Sequence, residues 1–229
     1  MSGVVPGGRT GPPRPTAVEV VEALRVPDTR EVLAWRFDEP RAALSSAPVG
    51  GGSASLDWVL NIGVTEGYTR TDLDDHAGDV ARRLGLAGTG AALFTAADVR
   101  RVVHAEDGGV AVDATVGVTK PTWAADRDDV HGRREGGTWV PGTINVVVQV
   151  PAALGPAAAV NAVMTATEAK VQALVEHGVP GTGTASDAVV VVWPSTFPVE
   201  PFAGPRSTWG ARIARAVHAA VRQGLEEHP

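Results

Sequence analysis

TINVVVQV, residues 143–150, is a continuous run of largely apolar side chains. A run without regular polar alternation is typical of a strand that is covered on both faces. AVVVVW, residues 188–193, has the same character, and a helical pattern at residues 156–177 separates the two runs. Pro156 suits the first turn of that helix, and Gly178 suits its end. The stretch therefore predicts a strand, a long helix and a second strand.

Further elements are predicted along the chain. The other predicted strands cover residues 31–37, 58–64 and 91–94, and the other predicted helices cover residues 71–85 and 207–226. Asp107, Gly108 and Gly109 join two alternating runs, which predicts a hairpin and at least one antiparallel pair. Together these elements predict an α/β (α+β) fold, a single layered domain with a mostly mixed or antiparallel β-sheet core covered by long amphipathic helices.

Length and composition limit the possible functions. A chain of 229 residues with 44% hydrophobic content can bury a full core, and we expect one domain over residues 16–229. The net charge of −6 argues against nucleic acid as the main partner, because no basic stripe is available to displace counterions. No apolar run approaches the roughly 20 residues that span a bilayer. Residues 1–15, rich in Gly and Pro, predict a disordered leader rather than a signal peptide, so we expect a cytoplasmic protein.

The residue types also limit the chemistry. The sequence contains no cysteine, which excludes disulfides, thiolate nucleophiles and cysteine metal sites. The six histidines include no pair at helical spacing. Asp126, Asp128, Asp129 and His131 are interpreted as solvated charge in a loop rather than as metal ligands. We therefore expect no metal site, and any covalent mechanism would use Ser, Thr or Lys.

The helix predicted at residues 156–177 has two contrasting faces. One carries a broad apolar stripe of Val160, Met164, Thr167, Val171, Leu174 and Val175, and the other carries Ala162, Ala166, Ala169 and Ala173. The alanines fit either a solvent-exposed face or a face that a second layer or a ligand approaches closely. Glu168 lies beside the large stripe, where partial burial would raise its proton affinity. The alternative is a rim glutamate paired with Gln172 or a distant arginine.

GTGTASD, residues 181–187, places small and hydroxyl side chains directly before the strand at 188–193. Glycines in such a loop let backbone N–H groups face an oxyanion or an amide carbonyl. The alternative is a connection whose hydroxyls bond their own backbone. Ser45, Ser46 and the three glycines at 50–52 form a second small-residue loop, which with Asn61 would supply the other wall of a pocket.

Several stretches carry a family resemblance. Seven stretches carry it, in the order ALSSAPVGGG, TAADVRRV, DATVGVTKPTWAA, PGTINVVV, AVNAVMTATEAKVQAL, GTGTASDAVVV and FAGPRSTWG. In that order they resemble adenosylcobinamide amidohydrolases, over about residues 33–221. The joint pattern of TATEAK, GTGT with an aspartate, and FAGP with Trp-Gly is the specific part. Two positions depart from the family: Val49 stands where many relatives have asparagine, and Ser186 where threonine is common.

The resemblance implies a corrinoid-salvage hydrolase. Such an enzyme cleaves the amide that joins the aminopropanol arm of adenosylcobinamide to the corrin ring, giving adenosylcobyric acid and aminopropanol. Cobalt is then part of the substrate, so no separate cofactor is expected. The expected partner is a corrinoid small molecule, with neither nucleic acid nor membrane, and a homo-oligomer is left open. The alternatives are a non-catalytic corrinoid carrier or sensor and an amidase acting on an unrelated small amide.

Hydrolysis of an unactivated amide requires a nucleophile, an oxyanion stabiliser and an acid for the leaving amine. We predict water activated by Glu168 as general base or acid, with Asp187 as second carboxylate or as orienter of a hydroxyl. Ser46 as a covalent nucleophile with Lys170 as its base is the rival mechanism. The predicted substrate-binding residues are Ser45, Gly51, Gly52, Asn61, Thr143, Asn145, Asn161, Thr182, Gly183 and Thr184. Asn145, on a buried strand, equally suits a role in satisfying core backbone.

Two further expectations follow. A broad corrin ring suits an open cleft with aromatic walls, for which Tyr68, Trp123, Trp139 and Trp209 are candidates or else ordinary packing residues. The carboxylate hypothesis also requires Glu168 and the loop at residues 181–187 to share one cavity.

Overall fold

The computed structural model describes residues 15–22, 24–127, 142–195 and 198–227. The predicted leader and most of the charged segment around Asp128, Asp129 and His131 lie outside these ranges. The strands are β1 (Glu19–Val21), β2 (Thr29–Ser45), β3 (Gly52–Val64), β4 (Gly90–Thr95), β5 (Val103–Asp107), β6 (Val110–Val116), β7 (Ile144–Gln149) and β8 (Ala188–Pro194). The helices are α1 (Leu73–Arg83), α2 (Pro156–Glu176) and α3 (Thr208–Glu227), with a 3-10 turn at Val99–Arg101.

The strands form one mixed sheet in the order β4-β3-β2-β8-β7-β6-β5, and β1 pairs with β2. The pairs β3–β4 and β7–β8 are parallel, whereas the other neighbours are antiparallel. The hairpin predicted from its glycines is confirmed: Gly108 and Gly109 connect β5 to β6 with φ angles of 53° and 91°. Left-handed backbone at both central positions is what a tight hairpin turn requires. The predicted mixed α/β class is thus confirmed.

The sheet folds over on itself through the long strand β2. The register of β2 shifts between Arg36 and Arg41. β3 pairs with both halves of β2, whereas β8 pairs only with the later half and β1 only with the earlier half. The indole N–H of Trp35 donates to Asp113 Oδ2 at 2.8 Å, so the earlier half lies over β6 rather than beside it.

Four layers result from this fold-over. One face of β5–β8 packs against α2 and α3. The opposite face of β7 and β8 packs against β2, β3 and β4. The outer face of β2–β4 packs against α1. The valine-rich strands β7 and β8 are therefore covered on both faces, as their continuous apolar runs predicted.

The alanine face of α2 is the buried face. Ala162, Ala166, Ala169 and Ala173 are at most 3% exposed, whereas Val160, Met164 and Val175 are 51%, 52% and 56% exposed. Most of the large apolar stripe is exposed, and so is Glu168, so the partial burial expected for Glu168 beside the stripe is not observed. Small side chains let the sheet and α3 approach the α2 backbone closely, which is the second of the two alternatives that the alanines allowed.

No helix within the described residues combines the length and the apolar character that crossing a bilayer requires.

The assignment of the two α2 faces is testable by substitution. Ala166→Leu inserts three heavy atoms into a packed interface, and we expect the free energy of unfolding to fall by about 1–3 kcal/mol. Met164→Leu, on the exposed face of the same helix, is the control and is expected to change stability by less than about 0.5 kcal/mol. Urea unfolding measures both. A larger loss for the Met164 variant would contradict the assignment.

Candidate active site

The amino ends of β7 and β8 meet the later turns of α2 at one edge of the sheet. Ile144 begins β7, and Asp187 directly precedes β8. Because β7 and β8 are parallel neighbours, their amino ends lie at the same edge. The backbone N–H of Ile144 donates to Asp187 Oδ1 at 2.8 Å, so this aspartate ties the two strand ends together.

Asp187 is held by an ion pair and three further hydrogen bonds. Lys170 Nζ lies 2.5 Å from Asp187 Oδ2, and the two side chains are only 8% and 11% exposed. Thr184 donates its hydroxyl to Oδ1 at 2.5 Å and its backbone N–H to Oδ2 at 3.1 Å. A buried ion pair is tolerated only when its desolvation is offset by such bonds. The carboxylate thereby positions both a cation and a hydroxyl.

Gly183 is required by the closeness of this ion pair. A Cβ atom at residue 183 would lie 2.3 Å from Asp187 Oδ2 and 2.6 Å from Lys170 Nζ. Gly181 meets a similar limit, since its Cβ would lie 2.7 Å from the backbone nitrogen of Thr122. The glycines of the 181–187 loop thus permit close approach, which larger residues would prevent.

Glu168 does not reach this loop. It is exposed and lines a shallow groove on α2 together with Thr167, Val171, Gln172, Val175 and Glu176. Residues two apart on a helix point about 200° from each other, so Glu168 and Lys170 leave α2 on opposite sides. The expectation that Glu168 and the loop share one cavity is therefore wrong. A catalytic role for Glu168 stays a prediction. Asn161 lies about 13 Å along the helix before Lys170, with its amide donating to Ala157 O.

Ser46 lies at the same edge as Asp187. Its backbone N–H donates to Val189 O at 2.9 Å, and its hydroxyl accepts from the Val189 N–H at 3.0 Å. Val189 is two residues beyond Asp187 on the chain. Ser46 as a residue is exposed.

The neighbouring residues of that loop serve the turn. Ser45 is buried, and its hydroxyl accepts from the Ala47 N–H at 2.9 Å. A Cβ at Gly51 would lie 2.3 Å from Ala47 O, and Gly52 has a left-handed φ of 85° with open space around it. These contacts explain the two glycines by local geometry, and substrate binding by Ser45, Gly51 and Gly52 stays a prediction.

Asn61 and Asn145 form a buried network between the two β layers. The Asn145 amide donates to Asn61 Oδ1 at 2.9 Å and to Phe94 O at 3.0 Å. Asn61 in turn donates to Thr115 Oγ1 at 2.9 Å. Both asparagines are 2% exposed. The bond to the Phe94 carbonyl matches the core role that the sequence allowed for Asn145, and direct substrate contact by either asparagine stays a prediction.

Hydroxyl side chains near the site also form hydrogen bonds with residues outside the 181–187 loop. Thr143 and Ser186 share a hydrogen bond of 2.7 Å at the start of β7 and β8. Thr182 Oγ1 accepts from the Ala124 N–H at 2.9 Å. Only part of the loop therefore bonds its own backbone, since Thr182 and Ser186 bind neighbouring segments.

The four candidate aromatic residues have different surroundings. Tyr68 hydrogen-bonds to a buried histidine on α1, and Trp209 lies beneath the Arg212 guanidinium at 4.6 Å from the ring centroid. Trp139 lies outside the described residues. Trp123 is exposed and adjoins the 181–187 loop.

The site predicted from the sequence includes Lys170 only as the base in the Ser46 mechanism. The sequence does indicate a special position for this lysine, because Lys170 follows Ala162, Ala166 and Ala169 on the small-residue face of α2. Once that face is buried, a lysine on it needs an anion nearby. In the described ranges, no group of three or more His, Asp or Glu side chains is arranged to hold a metal ion.

Comparisons with known proteins agree with the resemblance found in the sequence. Residues 15–229 match the model of a family described as adenosylcobinamide amidohydrolase. The chain belongs to the adenosylcobinamide amidohydrolase family. A family member from Methanosarcina mazei, named adenosylcobinamide amidohydrolase, is 27% identical over 190 residues, covering 79% of this chain and 88% of the relative.

Two further proteins are similar to the chain. A protein of Halobacterium salinarum with the same name is 31% identical over 190 residues, covering 82% of this chain and 81% of the relative. The crystal structure of the PH0078 protein from Pyrococcus horikoshii OT3 aligns with a TM-score of 0.49 and 11% identity, covering 93% of this chain and 83% of that one.

The buried ion pair of this family member yields a stability prediction. Lys170→Met leaves the Asp187 carboxylate without its cation, and we expect the free energy of unfolding to fall by roughly 3–5 kcal/mol at neutral pH. The control is Arg215→Met, because Arg215 pairs with Asp107 but is 59% exposed, so its loss is expected to cost less than about 1 kcal/mol. Urea unfolding measures both variants.

A double variant separates the pair from packing. Adding Asp187→Asn to Lys170→Met removes the unpaired charge, so part of the lost stability is expected to return. Equal losses for Lys170→Met and Arg215→Met would show that the pair behaves as a surface contact.

Proposed function

We propose that the chain hydrolyses the amide joining the aminopropanol arm to the corrin ring of adenosylcobinamide, giving adenosylcobyric acid and aminopropanol. We assign the reacting centre to Thr184, Asp187 and Lys170. Family membership over residues 15–229 supports the reaction. The observation that carries the choice of centre is the 2.5 Å hydrogen bond from the Thr184 hydroxyl to Asp187 Oδ1. A hydroxyl that donates to a carboxylate is the arrangement of an activated nucleophile and its base.

The proposed reaction has two stages. Thr184 Oγ1 attacks the amide carbonyl carbon while its proton passes to Asp187. That proton is then delivered to the amide nitrogen as the C–N bond breaks, which releases aminopropanol and leaves an ester on Thr184. Water attacks the ester carbonyl and gives a proton to Asp187. Thr184 regains this proton as adenosylcobyric acid leaves.

Lys170 has two roles in this proposal. Its ammonium fixes the orientation of the Asp187 carboxylate through the 2.5 Å contact. An ammonium has three N–H donors, and Asp187 takes one of them. Because Lys170 and Thr184 bind the same carboxylate, we also assign the ammonium the stabilisation of negative charge that develops on the carbonyl oxygen. Stabilisation of such charge is often the largest contribution to acyl transfer.

The two mechanisms predicted from the sequence have less geometric support. Glu168 lies on the opposite side of α2 from Asp187, so a water that it activates would be remote from the hydroxyl-rich loop. The Ser46 hydroxyl accepts a hydrogen bond from Val189, and no described contact joins it to Lys170 or to a carboxylate. The proposal assigns the protein no cofactor of its own, since cobalt enters with the corrinoid.

Variants at Thr184 test the proposed nucleophile. Thr184→Val keeps the shape of the side chain but lacks the hydroxyl, and we expect kcat to fall about 10³-fold or more. Thr184→Ser keeps a hydroxyl and is expected to retain measurable turnover. Aminopropanol released from adenosylcobinamide is the measured product, and circular dichroism verifies that each variant is folded. Mass spectrometry of a quenched reaction should find the acyl group on the peptide that contains Thr184.

Two matched variants separate the competing mechanisms. Glu168→Gln and Ser46→Ala are expected to retain near-normal turnover. If Glu168→Gln abolishes turnover while Thr184→Val retains it, water activated by Glu168 replaces the present proposal. If Ser46→Ala alone abolishes turnover, Ser46 is the nucleophile. Tight corrinoid binding by the wild type without release of aminopropanol would instead identify a carrier or sensor.

A further inference from the structure

The segment around Trp123 is bonded to the loop that carries the proposed centre. The Thr122 N–H donates to Gly183 O at 2.8 Å, and the Thr182 N–H donates to Thr122 O at 2.9 Å. On the other side of Trp123, the Ala124 N–H donates to Thr182 Oγ1 at 2.9 Å. Trp123 is thus flanked by residues that hydrogen-bond to the 181–187 loop, and its main chain is fixed relative to that loop.

The backbone of Trp123 is held in a turn while its side chain is exposed. Its N–H donates to Asp126 Oδ2 at 3.2 Å, and its carbonyl accepts from the Asp126 N–H at 3.1 Å. The residue is nevertheless 47% exposed, more than any other tryptophan that the structure describes. An exposed aromatic side chain on a fixed backbone beside a site lacks the free energy of burial, which contact with a ligand can supply.

The bridge between Thr122 and Gly183 brings the backbone of Trp123 near the residue proposed as the nucleophile. Thr122 pairs with Gly183 in an antiparallel bridge, so Trp123 lies opposite Thr182. In a regular antiparallel pair, diagonal neighbours are about 7–8 Å apart, and relative to this single bridge Thr184 has the diagonal position to Trp123. When the substrate amide is at Thr184, the part of the substrate a few bonds from that amide is therefore within reach of the exposed Trp123 side chain.

We infer that Trp123 is the platform against which a face of the corrin ring lies while the amide is held at Thr184. This inference rests on the proposed function. The corrin ring is broad, with apolar faces and a rim of amides, so it offers a flat surface to the indole and acceptors to its N–H. The platform acts on binding and takes no part in bond making.

Steady-state kinetics distinguish a Trp123 that binds the substrate from a Trp123 that only stabilises the 181–187 loop. Trp123→Ala is expected to raise KM for adenosylcobinamide about tenfold and to leave kcat within about twofold, because aromatic stacking contributes to ground state and transition state alike. Trp123→Phe keeps an aromatic face and is expected to stay within about threefold of the wild-type KM. Phe202→Ala is the matched control, since Phe202 is 70% exposed but follows β8 at its carboxyl end, away from Asp187.

Binding of the reaction product isolates the contact with the ring. Adenosylcobyric acid keeps the corrin ring and lacks the scissile amide, so Trp123→Ala should raise its Kd by the same factor of about ten. A KM unchanged by Trp123→Ala, a loss confined to kcat, or a raised KM with an unchanged product Kd would each overturn the platform. If the wild type neither binds nor cleaves adenosylcobinamide, the proposed function itself fails. If the wild type cleaves it and Trp123→Ala has the same KM, only the platform fails.

Discussion

The ion pair between Lys170 and Asp187 joins three elements of the fold. Lys170 lies on α2, while Asp187 precedes β8 and accepts the N–H of Ile144 at the start of β7. Two nearly buried charges are costly unless both are satisfied, so the surrounding loop must adopt a conformation that supplies donors to the carboxylate. Thr184 supplies two of them. The hydroxyl-rich loop thereby acquires one defined shape at the edge of the sheet.

The small side chains of α2 make this arrangement possible. Because Ala162, Ala166 and Ala169 are buried against the sheet and α3, the helix axis lies close to β8. A lysine on that face then reaches the strand end instead of solvent. Gly183 completes the approach, since any side chain there would collide with both charged groups. Close packing and the charged centre are thus two consequences of the same small residues.

Residue types predict much of the candidate site, but they do not predict that Lys170 pairs with Asp187. The loop at 181–187, with Asp187 at its end, was predicted because small and hydroxyl residues cluster before a buried strand. The prediction for Glu168 depends on partial burial beside the large apolar stripe of α2, whereas Glu168 and most of that stripe are exposed. The helical period relates both Glu168 and Lys170 to the stripe, but the period alone does not say which face meets the sheet.

By itself, the sequence determined parts of most strands, the long helices, the β5–β6 hairpin and the mixed α/β class, because each follows from local periodicity and turn residues. It did not predict β1 or the extension of β2 to Ser45. Its motif series also identified the family. Tertiary structure alone decided that the sheet folds over on itself, that the alanine face of α2 is buried, and that Asp187 pairs with Lys170. These features depend on contacts between segments that are distant in the sequence. Burial of one face of α2 leaves the other face exposed, and no local pattern specifies which face is buried.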